Sequence, residues 1–326
     1  MTDPVRTIAD AVLYEGYILW PYRRSSPKNR QRWTFGGVFP PAHSAAHPDD
    51  PSEVRAEVAI EADGGDTVEV TVRFLQVVER RIAHDVGGRR TFVDELTAGG
   101  ERYLAWDEAA EREVRAVAVL GADRARASIA IDGGSSEEAL GGEGAIVRAW
   151  KPLAGWVDLR SEPLEPLVAQ SHKGRFRLSV GIRNETSWAG GDREDALRYA
   201  FCSTHVVLRT SNGAFVSATE SRCESSGLWP VLVGDEGARD TMLAAPIILS
   251  DYPHIAPESP GDLFDATEID QLLILNVLAL TPDEQAEMRA SDPRAREILD
   301  RCASLSRDEL MRLHGAIRDF RTVAGR

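Results

Sequence analysis

The stretch "SEVRAEVAIEADGGDTVEVTVRFLQVVERRI", residues 52 to 82, alternates apolar and polar side chains on both sides of Asp63-Gly64-Gly65-Asp66. A period of two interrupted by glycine is the signature of a strand, a tight turn and a second strand, so the spacing predicts a long β-hairpin. "EVRAVAVLGADRARASIAIDGG" repeats the pattern around Gly121, and "THVVLRTSNGAFVSAT" repeats it around Ser211-Asn212-Gly213. "AIVRAWKPLAGWVDL" and "RFRLSVGIRNE" add further strands. Roughly ten short strands at this spacing predict an α+β, mainly β fold, an antiparallel sandwich or open barrel. Few helical segments lie between them, which disfavours a parallel α/β sheet.

The C-terminal part reads differently. Residues 227 to 270 carry five prolines around two apolar runs and predict a long ordered excursion. "QLLILNVLAL" is short and uniformly apolar, and is read as a buried strand. Thr281-Pro282-Asp283-Glu284 has the spacing of a capping box, and Asp292-Pro293 opens a second helix with Ile298, Leu299 and Cys302 on one stripe. Ser306 to Glu309 caps a third, with Leu310, Leu313, Ile317 and Phe320 facing inwards. The expected division is a β-rich domain with long loops over 1–262 and a strand plus a small C-terminal helical unit over 263–326, packed on it. "DGGSSEEALGGEG", residues 132 to 144, is read as a flexible exposed loop.

The 326 residues hold 52 acids against 38 Lys and Arg, a net charge of −14, which repels phosphate backbones and anionic membrane surfaces. Nucleic acid is therefore not an expected partner. No apolar run reaches the length of a membrane helix and acids stand where a signal peptide would be basic, so neither membrane insertion nor export is expected. Three widely spaced cysteines, Cys202, Cys223 and Cys302, fit a reducing compartment, and the expected location is the cytoplasm.

Against that acidity, "YILWPYRRSSPKNRQRWTF", residues 17 to 35, sets Arg23, Arg24, Lys28, Arg30 and Arg32 among aromatic residues, and no Asp or Glu occurs from Gly16 to Pro48. The strip should attract an anion, a partner surface or an acidic segment of the same chain. Tyr14, Trp20, Trp33 and Phe35 are expected in the core. Such an acidic segment exists: between Asp251 and Asp270 lie Glu258, Asp262, Asp265 and Glu268, with His254 and no cation. His254, Glu258 and Asp262 there could supply a metal site or a general acid and base. Asp265 and Glu268 also have the spacing of a helix cap. His43 and His47 are four apart, a metal-binding spacing, although flanking prolines favour an exposed loop. Cys202 and His205 would lie on opposite faces of a strand unless a bulge intervenes, and are read as a buried thiol and a satisfied imidazole. No phosphate loop, dinucleotide fingerprint or Cys-x-x-Cys motif is present. No cofactor is expected, a divalent metal being the one addition these histidines would suit.

The opening "LYEGYILWPYRRSSPKNRQRWTFGGVFP", the stretch "FCSTHVVLRTSNGAFVS", the segment "WPVLVGDEGARDTMLAAPIILSDYPHIAPESPGDLFDATEID" and the ending "LTPDEQAEMRASDPRAREILDRCASLSRDELMRLHGAI" together resemble an uncharacterised family associated with actinobacterial NiFe-hydrogenase gene clusters. The resemblance runs almost end to end and implies a further small β-rich module beyond Arg326. It implies no catalytic residue. It implies an accessory or assembly role for an uptake hydrogenase, by binding a hydrogenase subunit or maturation protein. Two other classes remain open from the residues: a metal-dependent or carboxylate/His hydrolase-like enzyme working in the 251–270 loop, and a small-anion binding module using the strip alone.

Overall fold

A computed structural model describes residues 4–19, 21–26, 29, 32–33, 35–122, 124–164, 173–254 and 270–306. Two antiparallel sheets pack face to face. The first runs β13 (Ala214–Val216), β1 (Glu53–Ala62), β11 (Gly174–Asn184), β10 (Leu153–Leu164) and β7 (Ala125–Ile131). The second runs β14 (Trp229–Leu232), β15 (Thr241–Ala245), β12 (Cys202–Thr210), β2 (Thr67–Val86), β9 (Gly144–Trp150) and β8 (Gly134–Leu140), with β3 (Arg89–Val93) and β6 (Trp106–Val119) also on β2. A small pair, β4 (Glu95–Ala98) and β5 (Glu101–Leu104), completes the β structure. Val58 and Ile60 of β1, Leu178 and Val180 of β11, Val72 and Phe74 of β2 and Leu208 of β12 fill the space between the sheets. Burying each such side chain contributes on the order of 1.5–3 kcal/mol. The fold is the mainly β, α+β sandwich that the alternation predicts.

The expected hairpins are arches instead. β1 pairs with β11 and β13, and β2 pairs with β6, β9 and β12, so the chain crosses from one sheet to the other at Asp63–Asp66. It crosses again at Gly121, between β6 and β7, and at Ser211–Gly213, between β12 and β13. Alternation fixes which face of a strand is apolar but not which strand lies beside it. The first two crossings hold each other: Gly65 N–H donates to Leu120 O and Leu120 N–H to Asp66 O. True hairpins occur at Gly87-Gly88 between β2 and β3 and at Gly99-Gly100 between β4 and β5, where both glycines of each pair have positive φ. The low-complexity patch is also not a loop. Its backbone pairs with β9 as edge strand β8, and Leu140 anchors it in a small core with Ile82, Ala98 and Ile146.

Helices cover the outer face of the second sheet. α1 (Pro4–Tyr14), unread in the sequence, lays Val5, Ala9 and Val12 against Val207, Val231 and Leu243. α2 (Pro41–Ser44) and α3 (Arg193–Leu197) are single turns. The run read as a strand is helix α4 (Asp270–Leu278), because Leu273, Ile274 and Val277 form one face against α5 (Pro282–Ser291) and α6 (Pro293–Ser304). The expected capping box starts α5: Glu284 N–H donates to Thr281 Oγ1 at 3.3 Å and Thr281 N–H to Glu284 Oε2 at 2.9 Å. Asp292 caps α6 through Arg294 N–H at 2.8 Å while accepting the Tyr17 hydroxyl at 2.5 Å. Met288, Ile298, Leu299 and Cys302 share one core with Leu13, Tyr17, Ile18 and Trp33, so N-terminal and C-terminal segments are packed together. The third expected C-terminal helix, over 306–320, and the 262/263 boundary lie outside the described residues apart from Ser306. No helix among the described residues is long and apolar enough to cross a membrane.

Buried Arg80 of β2 fastens the helices to the sheet. Its guanidinium donates to Leu104 O at 3.1 Å, Glu108 Oε1 at 2.9 Å, Ala290 O at 3.2 Å and Ser291 O at 2.7 Å. Arg80→Ala leaves three carbonyls without their donor and Glu108 with Arg148 as its remaining partner, and should lower unfolding free energy by about 3 kcal/mol, against about 1 kcal/mol for Thr281→Ala. Urea denaturation of the two variants tests this; a smaller loss for Arg80→Ala than for Thr281→Ala would refute the assignment.

Candidate functional site

The basic strip bends twice, at Tyr22 with φ 57° and at Trp33 with φ 63°, both buried residues in the left-handed region. Non-glycine residues there cost on the order of 1–3 kcal/mol each and persist only where packing enforces them. Asn29 closes the first bend, donating to Leu19 O at 2.8 Å and Arg23 O at 3.0 Å and accepting from Leu19 N–H at 2.8 Å. The folded strip forms one wall of a cleft of about 1420 Å³. The ends of β2 and β6, the β4–β5 pair, α3 and Glu287 of α5 supply the rest. Seven arginines line it (Arg24, Arg32, Arg80, Arg81, Arg102, Arg193, Arg198) against six acids (Glu79, Asp94, Glu95, Asp107, Glu194, Glu287), an excess of one positive charge.

Most of these charges are already matched. Arg24 pairs with Asp94 at 3.1 Å, Arg102 with Glu95 at 2.5 Å and Arg193 with Asp50 at 3.0 Å. Arg32 is different. It is only 5% exposed, its guanidinium carbon lies 3.8 Å from the Trp106 ring centroid and 4.8 Å from that of Trp33, and Nη2 donates to the backbone oxygen of Asp107. Nη1 has no partner among the described residues, nor has the indole Nε1 of Trp106 or Nε of Arg198. Burial lowers the Arg32 pKa, an effect opposed by Tyr17, Asp107 and Asp292. Burial likewise raises the Asp107 carboxyl above its ordinary value, against Arg198 and Arg32, which favour its charged form. The nearest Arg198 nitrogen stands 3.6 Å from Asp107 Oδ2. The cleft therefore ends in unused hydrogen-bond donors around a buried cation, which suits an anion.

The other residues singled out from the sequence fall elsewhere or serve the fold. Arg23 pairs with Glu284 at 2.9 Å, and the backbone N–H and hydroxyl of Ser25 donate to Glu287. The described cations of the strip thus meet α5 and the β strands. Lys28, Arg30, Trp20, Glu258, Asp262, Asp265 and Glu268 lie outside the described residues, as does most of the 251–270 segment. Asp251 accepts from Ser217 Oγ at 2.5 Å and Leu232 N–H at 2.8 Å, and His254 is exposed. Tyr14 and Trp33 are core residues as expected, and Phe35 is half-buried.

His43 corrects the reading of an exposed loop. It is fully buried, stacked between Phe39 and His47 at 5.0 and 4.4 Å, with Nε2 3.0 Å from Asp50. Only His47 is exposed, and no group of three or more metal-ligating side chains occurs among the described residues. Cys202 and His205 flank a bulge opposite Leu75 and Arg73, which returns them to one face of β12. Burial pushes the Cys202 thiol up to about 12 and the His205 imidazole down to about 3. His205 is not fully satisfied: Nδ1 is 3.1 Å from Ser203 O, while Nε2 has no partner among the described residues.

Trp106, Asp107, Arg193 and Arg198 carried no signal in the sequence. They belong to a strand and a short helical turn far from the strip in the chain.

The depressed imidazole gives a pH test. Between its ordinary value near 6.5 and about 3, only the unfolded chain binds the proton at His205, so its stabilising contribution is complete above pH 6.5 and fades as pH falls through that window. His205→Gln should flatten the fall in urea midpoint across acid pH relative to the wild type; equal slopes would contradict it. In comparisons with known proteins, the chain matches no family model and no curated protein, leaving the cleft to be interpreted from its chemistry.

Proposed function

We propose that this chain is an accessory or assembly protein for an uptake NiFe-hydrogenase, acting in the cytoplasm by binding a hydrogenase subunit or maturation protein. The hydrogenase context comes from the resemblance of its sequence to the family named above. The binding role is supported by one observation: the cleft built around Arg32, whose buried guanidinium has a donor to spare and no carboxylate partner among the described residues. An acidic segment of a client fits such a cleft, since the desolvated cation would gain the counter-charge that the fold leaves out. The net charge of −14 makes nucleic acid a poor alternative occupant. It also confines attraction for an acidic client to this local concentration of arginines, within roughly a Debye length of about 8–10 Å.

Affinity purification of the tagged protein from its native host at low salt tests the reading. A hydrogenase subunit or maturation protein should be recovered at about 50 mM salt, weaken by about 500 mM, and be lost from an Arg24→Glu, Arg81→Glu double variant. Both side chains line the cleft. Failure to recover any hydrogenase component, or recovery unaffected by the double variant, would overturn it.

A further inference from the structure

We propose that the inner end of the cleft is a carboxylate-binding site formed by Arg32, Trp106 and Arg198. This rests on the cleft being a docking site, and names the chemical group that it reads. Three donors with no partner among the described residues, Arg32 Nη1, Trp106 Nε1 and Arg198 Nε, belong to side chains that line one cavity. Two of them sit on side chains that are 5% and 7% exposed. A buried N–H without an acceptor costs on the order of 1–3 kcal/mol, and more beside a charge. Their clustering on one cavity wall is the arrangement of a site that is completed by an acceptor from outside.

The geometry selects the acceptor. The Arg32 guanidinium is held between the Trp106 and Trp33 rings and by its bond to Asp107 O, so it presents Nη1 in a fixed direction. No described carboxylate forms an ion pair with it. Around it, however, the cleft already holds Asp107, Glu79 and Glu194, while Arg80 and Arg193 of the lining are matched by Glu108 and Asp50. A single negative charge would meet Arg32; a phosphate dianion would be repelled by the wall acids. A planar carboxylate, with two acceptor oxygens, can take Arg32 Nη1 on one and the Trp106 indole on the other. Shielding from bulk water strengthens both bonds. The carboxylate can come from a peptide C-terminus or from an Asp or Glu side chain.

Three synthetic peptides separate these sources: acetyl-Gly-Ala-Leu-Ala with a free C-terminus, the same peptide as its amide, and acetyl-Gly-Glu-Leu-Ala amide. Each is titrated into the full chain by calorimetry and by the indole N–H resonance of Trp106. At least one carboxylate peptide should bind and move that resonance, with the neutral amide silent. Preference for the free terminus identifies a C-terminus reader, and preference for the glutamate an internal acidic motif. Affinity should fall about tenfold in Arg32→Lys and about threefold in Trp106→Phe, which removes the N–H and keeps an aromatic ring. Should Arg32→Lys fail to fold, Trp106→Phe and the resonance shift carry the test. Binding of inorganic phosphate in place of the peptides, equal binding of the amide, or no response at millimolar peptide would overturn the carboxylate site. If the peptides fail but a hydrogenase component is still captured through Arg24 and Arg81, this inference falls alone. If they bind and no hydrogenase component is recovered, the site stands and the accessory reading falls.

Discussion

Strand β2 is the member on which both cores hang. Val68, Val70, Val72 and Phe74 face the interior of the sandwich, while Leu75 and Val77 enter the core beneath the N-terminal strip and the C-terminal helices. A strand apolar on both faces cannot be left at a surface, so the second sheet has to be covered outside as well as inside. Arg80 then ties the cover down by donating to the α5–α6 junction. The segments that supply that cover, residues 4–33 and 270–304, come from opposite ends of the described chain. They meet in the hydrogen bond from Tyr17 to Asp292, a single carboxylate that also caps α6.

The cleft is a consequence of this covering. Threading the strip between β6 and the helices buries Arg32 as well as Tyr17 and Trp33. Aromatic stacking on a desolvated guanidinium is worth about 2 kcal/mol, less than the several kcal/mol that desolvating the charge costs. Two other buried arginines resolve the same problem with carboxylates: Arg80 with Glu108 at 2.9 Å, Arg73 with Asp10 at 2.6 Å. Arg32 pairs with no described carboxylate, and it directly precedes Trp33, one of the two strained residues of the strip. Strain and unmatched charge converging on one cavity are what a binding site retains against the demands of stability.

Much of the fold was legible because short-range signals dictated it. The apolar alternation of β1, β2, β11 and β12 is enforced by the pleat, and the Thr281 and Asp292 caps by the need to satisfy the first N–H groups of α5 and α6. The pattern is ambiguous where local sequence permits two answers. Asp63-Gly64-Gly65-Asp66 can close a hairpin or turn a corner between sheets, and the choice depends on Leu120, whose backbone holds the turn from outside. "QLLILNVLAL" could bury itself as either element until α6 offered a helical groove. The site was half visible: the strip announced its charge, but Trp106, Asp107 and Arg198 reach it only through folding.

By itself, then, the sequence determined the class of fold, the starts of α5 and α6 and the presence of an uncompensated basic strip, since strand period, capping chemistry and local charge act over a few residues. Tertiary structure alone decided which strands are neighbours, which arginines find carboxylates, and that Arg32 is left with an indole and an open donor at the end of a cleft. Those outcomes depend on side chains many tens of residues apart arriving at one place, and on water being removed from around them, which no local pattern encodes.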